Sequence, residues 1–191
     1  MTLGPGYVVI HPAEKTNTPW ANGRGSTREL AHDARRSWRL SMAEIDQDAP
    51  FSTFPGIDRI LIVVDGEVRL RVDGVEHHLV TGAAVEFRGE SAASALAVGG
   101  AAHVVNLMMA RGEVQFDGRR ADPAQDVVQP VVDDELVVLL SRGGTMDGIA
   151  VEPGTVLMRS PVEEAGRGSG PAPPPLRFTE PVAVYRLTPR S

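Results

Sequence analysis

Charged, amide and aromatic side chains gather in a few stretches of this sequence. In Trp20-Ala-Asn22-Gly-Arg-Gly25-Ser-Thr27-Arg28-Glu29-Leu30, an indole, an amide, a hydroxyl and a charge pair share one glycine-loosened segment. If residues 27–31 are extended, Thr27 and Glu29 project to one face and Arg28 to the other, because side chains alternate along a strand. The plainer alternative is a surface strand with solvated charges. Phe51-Ser-Thr-Phe54-Pro-Gly56-Ile-Asp58-Arg59 sets a second charge pair directly before the apolar run Ile60-Leu-Ile-Val-Val64. An arginine entering a buried strand is costly unless a carboxylate, of the protein or of a ligand, meets it. Its planar fork suits a ligand carboxylate through two charge-assisted hydrogen bonds. Asn106 lies on one face of an otherwise apolar strand, between Val104 and Met108. A buried amide without partners costs roughly 1–3 kcal/mol, so Asn106 is either a satisfied core amide or the lining of a cavity. Glu90, after Phe87-Arg-Gly89, is a further carboxylate at a strand end.

Other chemistries find no support. The five histidines, His11, His32, His77, His78 and His103, are scattered except for one adjacent pair. On a strand that pair points to opposite faces, so it reads as a surface feature of a hairpin arm and not as a chelate. The chain has no H-E-x-x-H, G-x-S-x-G, P-loop or strand-linked G-x-G-x-x-G pattern. With no cysteine, disulfide scaffolds, thiolate nucleophiles and Cys-based metal sites are excluded.

The elements that must position these residues are strands. Val68-Arg69-Leu70-Arg71-Val72-Asp73 alternates strictly, and Ile60–Val64 reads as a strand covered on both faces. Asp65-Gly66 and Asp73-Gly74 are type I′ turn signals, predicting a three-stranded antiparallel meander from Ile60 to Val80. Further strands are expected at 83–87, 94–98 and 102–109, the last two as a hairpin around Gly99-Gly100. Trp38–Ala43 alternates as well, and no helix longer than about two turns is expected. Asp117 to Pro130 reads as a connector, with strands after it at 135–140 and 182–187 and a Gly/Pro-rich loop at 166–175. The strand–turn–strand spacing around Val63–Val85 is echoed around Leu139–Leu157, suggesting two similar β units in tandem.

Composition agrees. The 191 residues are 42% apolar and 23% charged, a globular balance, and 20 Gly with 15 Pro favour frequent turns. A net charge of −6 argues against nucleic-acid partners. The N-terminus lacks a signal-peptide pattern and no stretch reaches the length of a membrane helix, so a soluble, cytoplasmic protein is expected.

Taken together, Trp20-x-Asn22-Gly23-x-Gly25-x-Thr27-Arg28-Glu29, Trp38-Arg39-Leu40-Ser41-x-Ala43 and Phe51-Ser-x-Phe54-Pro-Gly-Ile-Asp58-Arg59 resemble the N-terminal blocks of the HutD/Ves family. Phe87-x-Gly89-Glu90 and Asn106-Leu-Met108 resemble its later blocks. The resemblance spans about Pro19 to Arg111 and implies an all-β bicupin, two tandem small antiparallel barrels of the RmlC-like jelly-roll type. The expected domains are 1–112, with the ligand pocket, and 113–191. The histidines of metal-binding cupins are missing from the corresponding positions, so no metal and no other cofactor is expected.

The family is associated with histidine utilisation, which implies an accessory or regulatory binder of a small acidic metabolite of the formylglutamate or formiminoglutamate class. Arg28 and Arg59 would then hold carboxylate, while Asn22, Thr27, Ser41 and Asn106 meet polar groups. Glu29 and Glu90 would position the arginines or accept an amide or formimino proton, and Phe54, Phe87 and Met108 would form apolar walls. The alternative is a metal-independent cupin enzyme, an isomerase or hydrolase, with a buried Glu29 or Glu90 as general base. A homodimer is possible, because exposed edge strands invite pairing.

Overall fold

A computed structural model describes residues 7–20, 25–122, 135–140, 142–159 and 176–190. The described chain is all-β. In order the strands are β1 (Val8–Ile10), β2 (Thr18–Pro19), β3 (Ser26–His32), β4 (Trp38–Ile45), β5 (Ala49–Pro50), β6 (Ile57–Asp65), β7 (Glu67–Val72), β8 (Val75–Val80) and β9 (Ala84–Arg88). They continue as β10 (Ala93–Ala97), β11 (Ala102–Ala110), β12 (Val114–Ala121), β13 (Glu135–Leu140), β14 (Gly144–Met146), β15 (Ile149–Val151), β16 (Val156–Arg159) and β17 (Val182–Pro189). Among the described residues the helical content is one 3-10 turn at Pro12–Glu14. The chain divides into two compact units, Pro12–Val114, and Met1–His11 with Gln115–Ser191.

The first unit consists of a six-stranded sheet, β2-β3-β4-β11-β6-β9, and a four-stranded sheet, β5-β10-β7-β8. Their inner faces share one core: Ala43, Leu61, Val63 and Val104 from the larger sheet pack with Val68, Leu70, Leu79 and Ala95 from the smaller. The strands β4, β6 and β11 are buried on both faces, as with Leu40, Ile60 and Leu107 on the side opposite Leu61 and Val104. That explains the continuous apolar run at Ile60–Val64, which has no polar face to alternate with.

The turns divide into two kinds. At Asp73-Gly74 both residues have positive φ, 48° and 84°, and a tight hairpin joins β7 to β8. Asp65-Gly66 does not make the expected hairpin. Only Gly66 has positive φ, 85°, so a type I′ turn cannot form, and the chain passes from the six-stranded to the four-stranded sheet. Gly99-Gly100 also carries the chain between sheets: β10 pairs with β5 and β7, and β11 inserts between β4 and β6. The predicted meander is therefore one corner plus one hairpin, and the predicted Gly99-Gly100 hairpin is a second corner. The second corner delivers the central strand β11 to the layer that holds the polar residues described below.

The second unit holds the sheet β1-β16-β13-β17-β12 and the hairpin β14–β15. Its core includes Tyr7, Met146, Leu157, Phe178 and Val184. β1 pairs antiparallel with β16, Val8 opposite Met158, so this N-terminal strand belongs to the sheet of the C-terminal strands. Part of the stretch read as a connector is the strand β12, while residues 123–130 and the Gly/Pro-rich 166–175 lie outside the described residues. The tandem echo has a structural counterpart. β13 pairs antiparallel with β16, Leu139 opposite Val156, as β6 pairs with β9, Ile62 opposite Ala84.

Candidate functional site

Strand register assembles the site row by row on the inner face of the six-stranded sheet. Met108 on β11 sits opposite Arg39 on β4 and Arg59 on β6, and Arg59 sits opposite Phe87 on β9. One row inward, Asn106 lies between Ser41 and Leu61. The next row, Ala43, Val104 and Val63, is already apolar core. The inner face thus changes from hydrocarbon to arginine, amide and hydroxyl within two rows, and there a cavity of about 290 Å³ opens. It is lined by Trp20, Thr27, Arg39, Ser41, Ala43, Pro50, Phe51, Ser52, Phe54, Arg59, Asn106 and Met108.

Arg59 is 5% exposed. Its Nη2 donates to Asn106 Oδ1 at 2.9 Å and its Nη1 to the Ser52 carbonyl at 3.4 Å, while its buried Nε has no hydrogen-bond acceptor. Three rings surround the guanidinium, with centres 4.9 Å (Phe87), 5.1 Å (Phe51) and 5.6 Å (Phe54) from its carbon. Phe54 lies equally close to Arg39, 5.6 Å, and Arg39 Nη2 donates to the Met108 sulfur at 3.2 Å. Burial, and then the neighbouring positive charge of Arg39, lower the Arg59 pKa to about 10. Among the described residues neither arginine forms an ion pair with a carboxylate. The aromatic faces compensate part of the charge burial, since a desolvated cation over a ring gains roughly 1–2 kcal/mol. A cation held this way attracts an anion strongly, because little water screens it.

Of the residues singled out in the sequence, Thr27, Ser41, Phe54, Arg59, Asn106 and Met108 line this cavity. Phe87 stands behind it, stacked on Arg59. Asn22 lies outside the described residues. Arg28 projects to the other face of β3, beside Glu44 and His103, as alternation requires. Glu29 and Glu90 are neither buried nor in the cavity. Arg36, from the β3–β4 connection, holds Glu29 at 3.3 and 3.4 Å on the surface, next to the register shift that follows Glu29. Arg39, Phe51 and Trp20 also belong to the lining. The strict alternation of Trp38–Ala43 contained the signal for Arg39, since it puts position 39 on the same face as Ser41.

Glu90 serves the loop instead. It accepts hydrogen bonds from the Gly56 N–H at 2.6 Å and from Arg111 at 2.8 and 3.0 Å. Arg111 also donates to Asp58 at 2.8 Å and to the Ile57 carbonyl at 3.0 Å. This knot fixes the base of the segment that carries Phe51, Ser52 and Phe54 to the cavity. The Arg111 guanidinium, and after it the Gly56 N–H, pull the Glu90 pKa down to about 2. A depressed carboxylate contributes stability above its ordinary pKa and loses it as pH falls through the depressed value. The loop is accordingly expected to loosen between the ordinary glutamate range and about pH 2, read as rising amide exchange at residues 51–57. In Glu90→Gln that acid-dependent step should be absent and exchange already raised at neutral pH.

Comparison with known proteins gives the chain its relatives. It is 41% identical over 122 residues to an uncharacterised 21.2 kDa protein of the hutC 3′ region of Pseudomonas putida, covering 58% of this chain and 64% of that one. It is 36% identical over 110 residues to the protein Ves of Citrobacter koseri, covering 54% and 58%. The matches therefore span less than two thirds of either relative's length. The solved structure of HutD from Pseudomonas fluorescens SBW25 superposes with a TM-score of 0.78 over 97% of this chain and 100% of that one at 23% identity, which establishes a common fold. Residues 13–159 match the HutD family model, a span that includes every described cavity-lining residue, and the chain belongs to the HutD family, associated by name and locus with histidine utilisation.

Proposed function

We propose that the chain is a noncatalytic binder of a small acidic metabolite of the formylglutamate or formiminoglutamate class, with an accessory or regulatory role in histidine utilisation in the cytoplasm. Two guanidinium groups facing one cavity, with no described carboxylate beside them, carry this reading. The volume of about 290 Å³ suits a small metabolite. Each unit is read as one cupin-like barrel of a bicupin, the first holding the ligand without metal or cofactor.

The polar inventory narrows the ligand. Arginine only donates, so the Asn106 atom that meets Arg59 is its oxygen, and its NH2 group remains to donate. The Trp20 indole N–H is directed to the Thr27 hydroxyl. Uncharged hydroxyls are thus the main side-chain acceptors in the described lining. A ligand rich in acceptors fits such a site, and one with a cationic end leaves that charge buried without an anion. Within the class, N-formylglutamate, with two carboxylates and a neutral formyl oxygen, is favoured over the protonated formimino compound and over free glutamate. The rival enzyme reading needs a base at the site, and the described lining contains no carboxylate, imidazole or thiol.

Thermal-shift titration with N-formylglutamate, formiminoglutamate, glutamate, urocanate and histidine tests the assignment. At 100 times the dissociation constant, about 2.7 kcal/mol is gained, a rise in midpoint of roughly 5–10 °C for a chain of this size. N-formylglutamate is expected to give the largest shift at equal concentration. A larger shift from histidine, or none from any of the five, would contradict the proposal.

A further inference from the structure

Among the described residues the four-stranded sheet of the first unit ends at β8, which is hydrogen-bonded to β7 on one side only. Its other edge is the longest among the outer strands of the two first-unit sheets, six residues against two in β2, two in β5 and five in β9. The β7–β8 hairpin closes through the two-residue turn Asp73-Gly74, which makes Val72 and Val75 the first hydrogen-bonded pair. Pairs then alternate. Residues 75, 77 and 79 direct their backbone groups to β7, and residues 76, 78 and 80 direct theirs outward. An outward row of this kind is a template for another strand.

We propose that β8 pairs antiparallel with β8 of a second copy of this chain, about a two-fold axis at His77. A two-fold axis perpendicular to the sheet keeps each face on its own side, so paired positions differ by an even number. Two central registers satisfy this. With the axis at His78, Glu76 would face Val80, a carboxylate against a methyl surface. With the axis at His77, Glu76 of each copy faces His78 of the other, twice, in hydrogen-bonded pairs that supply about four ladder bonds. Charge complementarity selects the second register.

The neighbours on β7 extend the match. Arg71 already lies 3.4 Å from Glu76, and His78 Nε2 is bonded to the Glu67 carboxylate; in the proposed pair His78 would stand between that carboxylate and the facing Glu76 as an imidazolium, which donates from both ring nitrogens. Across the pair the outer face would therefore alternate in charge from Arg71 to Glu76 to the opposing His78. On the inner face Val75, 59% exposed, would meet Leu79 of the other copy and gain an apolar neighbour.

Charge reversal tests the register. Sedimentation velocity on the full chain is expected to give a dimer, and both Glu76→Arg and His78→Glu are expected to sediment as folded monomers, with wild-type circular dichroism. Mixing the two variants should restore a dimer, because the arginine introduced at position 76 of one copy then faces the glutamate introduced at position 78 of the other, while the unaltered His78 and Glu76 still face each other. A monomeric wild type, a dimer that persists in both single variants, or folded monomers that fail to recombine would each overturn the proposal.

Discussion

Replacing Arg59 with methionine is expected to weaken binding of N-formylglutamate by about 30-fold or more while leaving the thermal midpoint of the unliganded protein within a few degrees. Truncating one member of a buried charge pair in a complex costs roughly 2–5 kcal/mol, which sets the binding effect. The small stability effect follows from two opposing contributions. Burial, and the adjacent Arg39, lower the Arg59 pKa from its ordinary value to about 10, so the charged form is disfavoured in the folded chain by about 3 kcal/mol. Against this stand the contacts with three rings, each worth roughly 1 kcal/mol. Methionine keeps the apolar packing and removes both. For a base with a lowered folded pKa the penalty applies at every pH below that value, so acid cannot relieve it. An anion can. Binding would restore the Arg59 pKa toward its ordinary value, and that recovered energy is what makes the cavity selective for negative charge. A midpoint lowered by more than 10 °C in Arg59→Met would mean that the arginine is a structural element.

Substituting Gly89 with alanine is expected to have the largest effect on the fold of the site. The φ of Gly89 is not positive, so its backbone does not demand glycine; space does. A Cβ there would collide with the Phe54 carbonyl oxygen and press on that of Ile57. The same residue accepts a hydrogen bond from the Phe54 N–H at 2.8 Å and donates one to the Ile57 carbonyl at 2.7 Å, so the loop has no room to retreat without breaking both. Overpacking of this kind costs about 1–3 kcal/mol, which for a chain of this length is a fall in midpoint of roughly 2–12 °C. Because Phe51 and Phe54 ride on the displaced segment and cover Arg59, ligand affinity should fall with it. Gly56→Ala is the useful contrast. No atom lies within 4 Å of a Cβ at Gly56, and only its positive φ of 77° resists the change, so a milder loss without displacement of Phe54 is expected.

Much of this arrangement is legible in the sequence. The alternation in Val68–Val72 and Trp38–Ala43, and the continuous run at Ile60–Val64, marked strands and their buried faces because period and burial are local properties. Asn106 and Arg59 stood out for a related reason: each interrupts apolar surroundings, and the structure bonds them to each other. What could not be read was pairing between distant strands. Asp65-Gly66 and Asp73-Gly74 are identical dipeptides, yet one is a corner between sheets and the other a hairpin, since tertiary packing decides whether the aspartate takes positive φ. The same limit hid the partners of Glu29 and Glu90. Each carboxylate has an arginine outside the stretches first singled out, Arg36 and Arg111, which draws it away from the cavity. Nothing local marks Arg39 as a ligand group, because its block reads as an ordinary half-buried strand until Met108 brings it beside Arg59.

Isothermal titration of N-formylglutamate into the unmodified chain, at low and at high salt, tests the two-arginine cavity most directly. One equivalent bound per chain is expected, with affinity falling as salt rises and lost in the double variant Arg39→Gln with Arg59→Met. Absence of saturable binding, or binding of equal strength in that variant, would contradict the assignment of the cavity as an anion site.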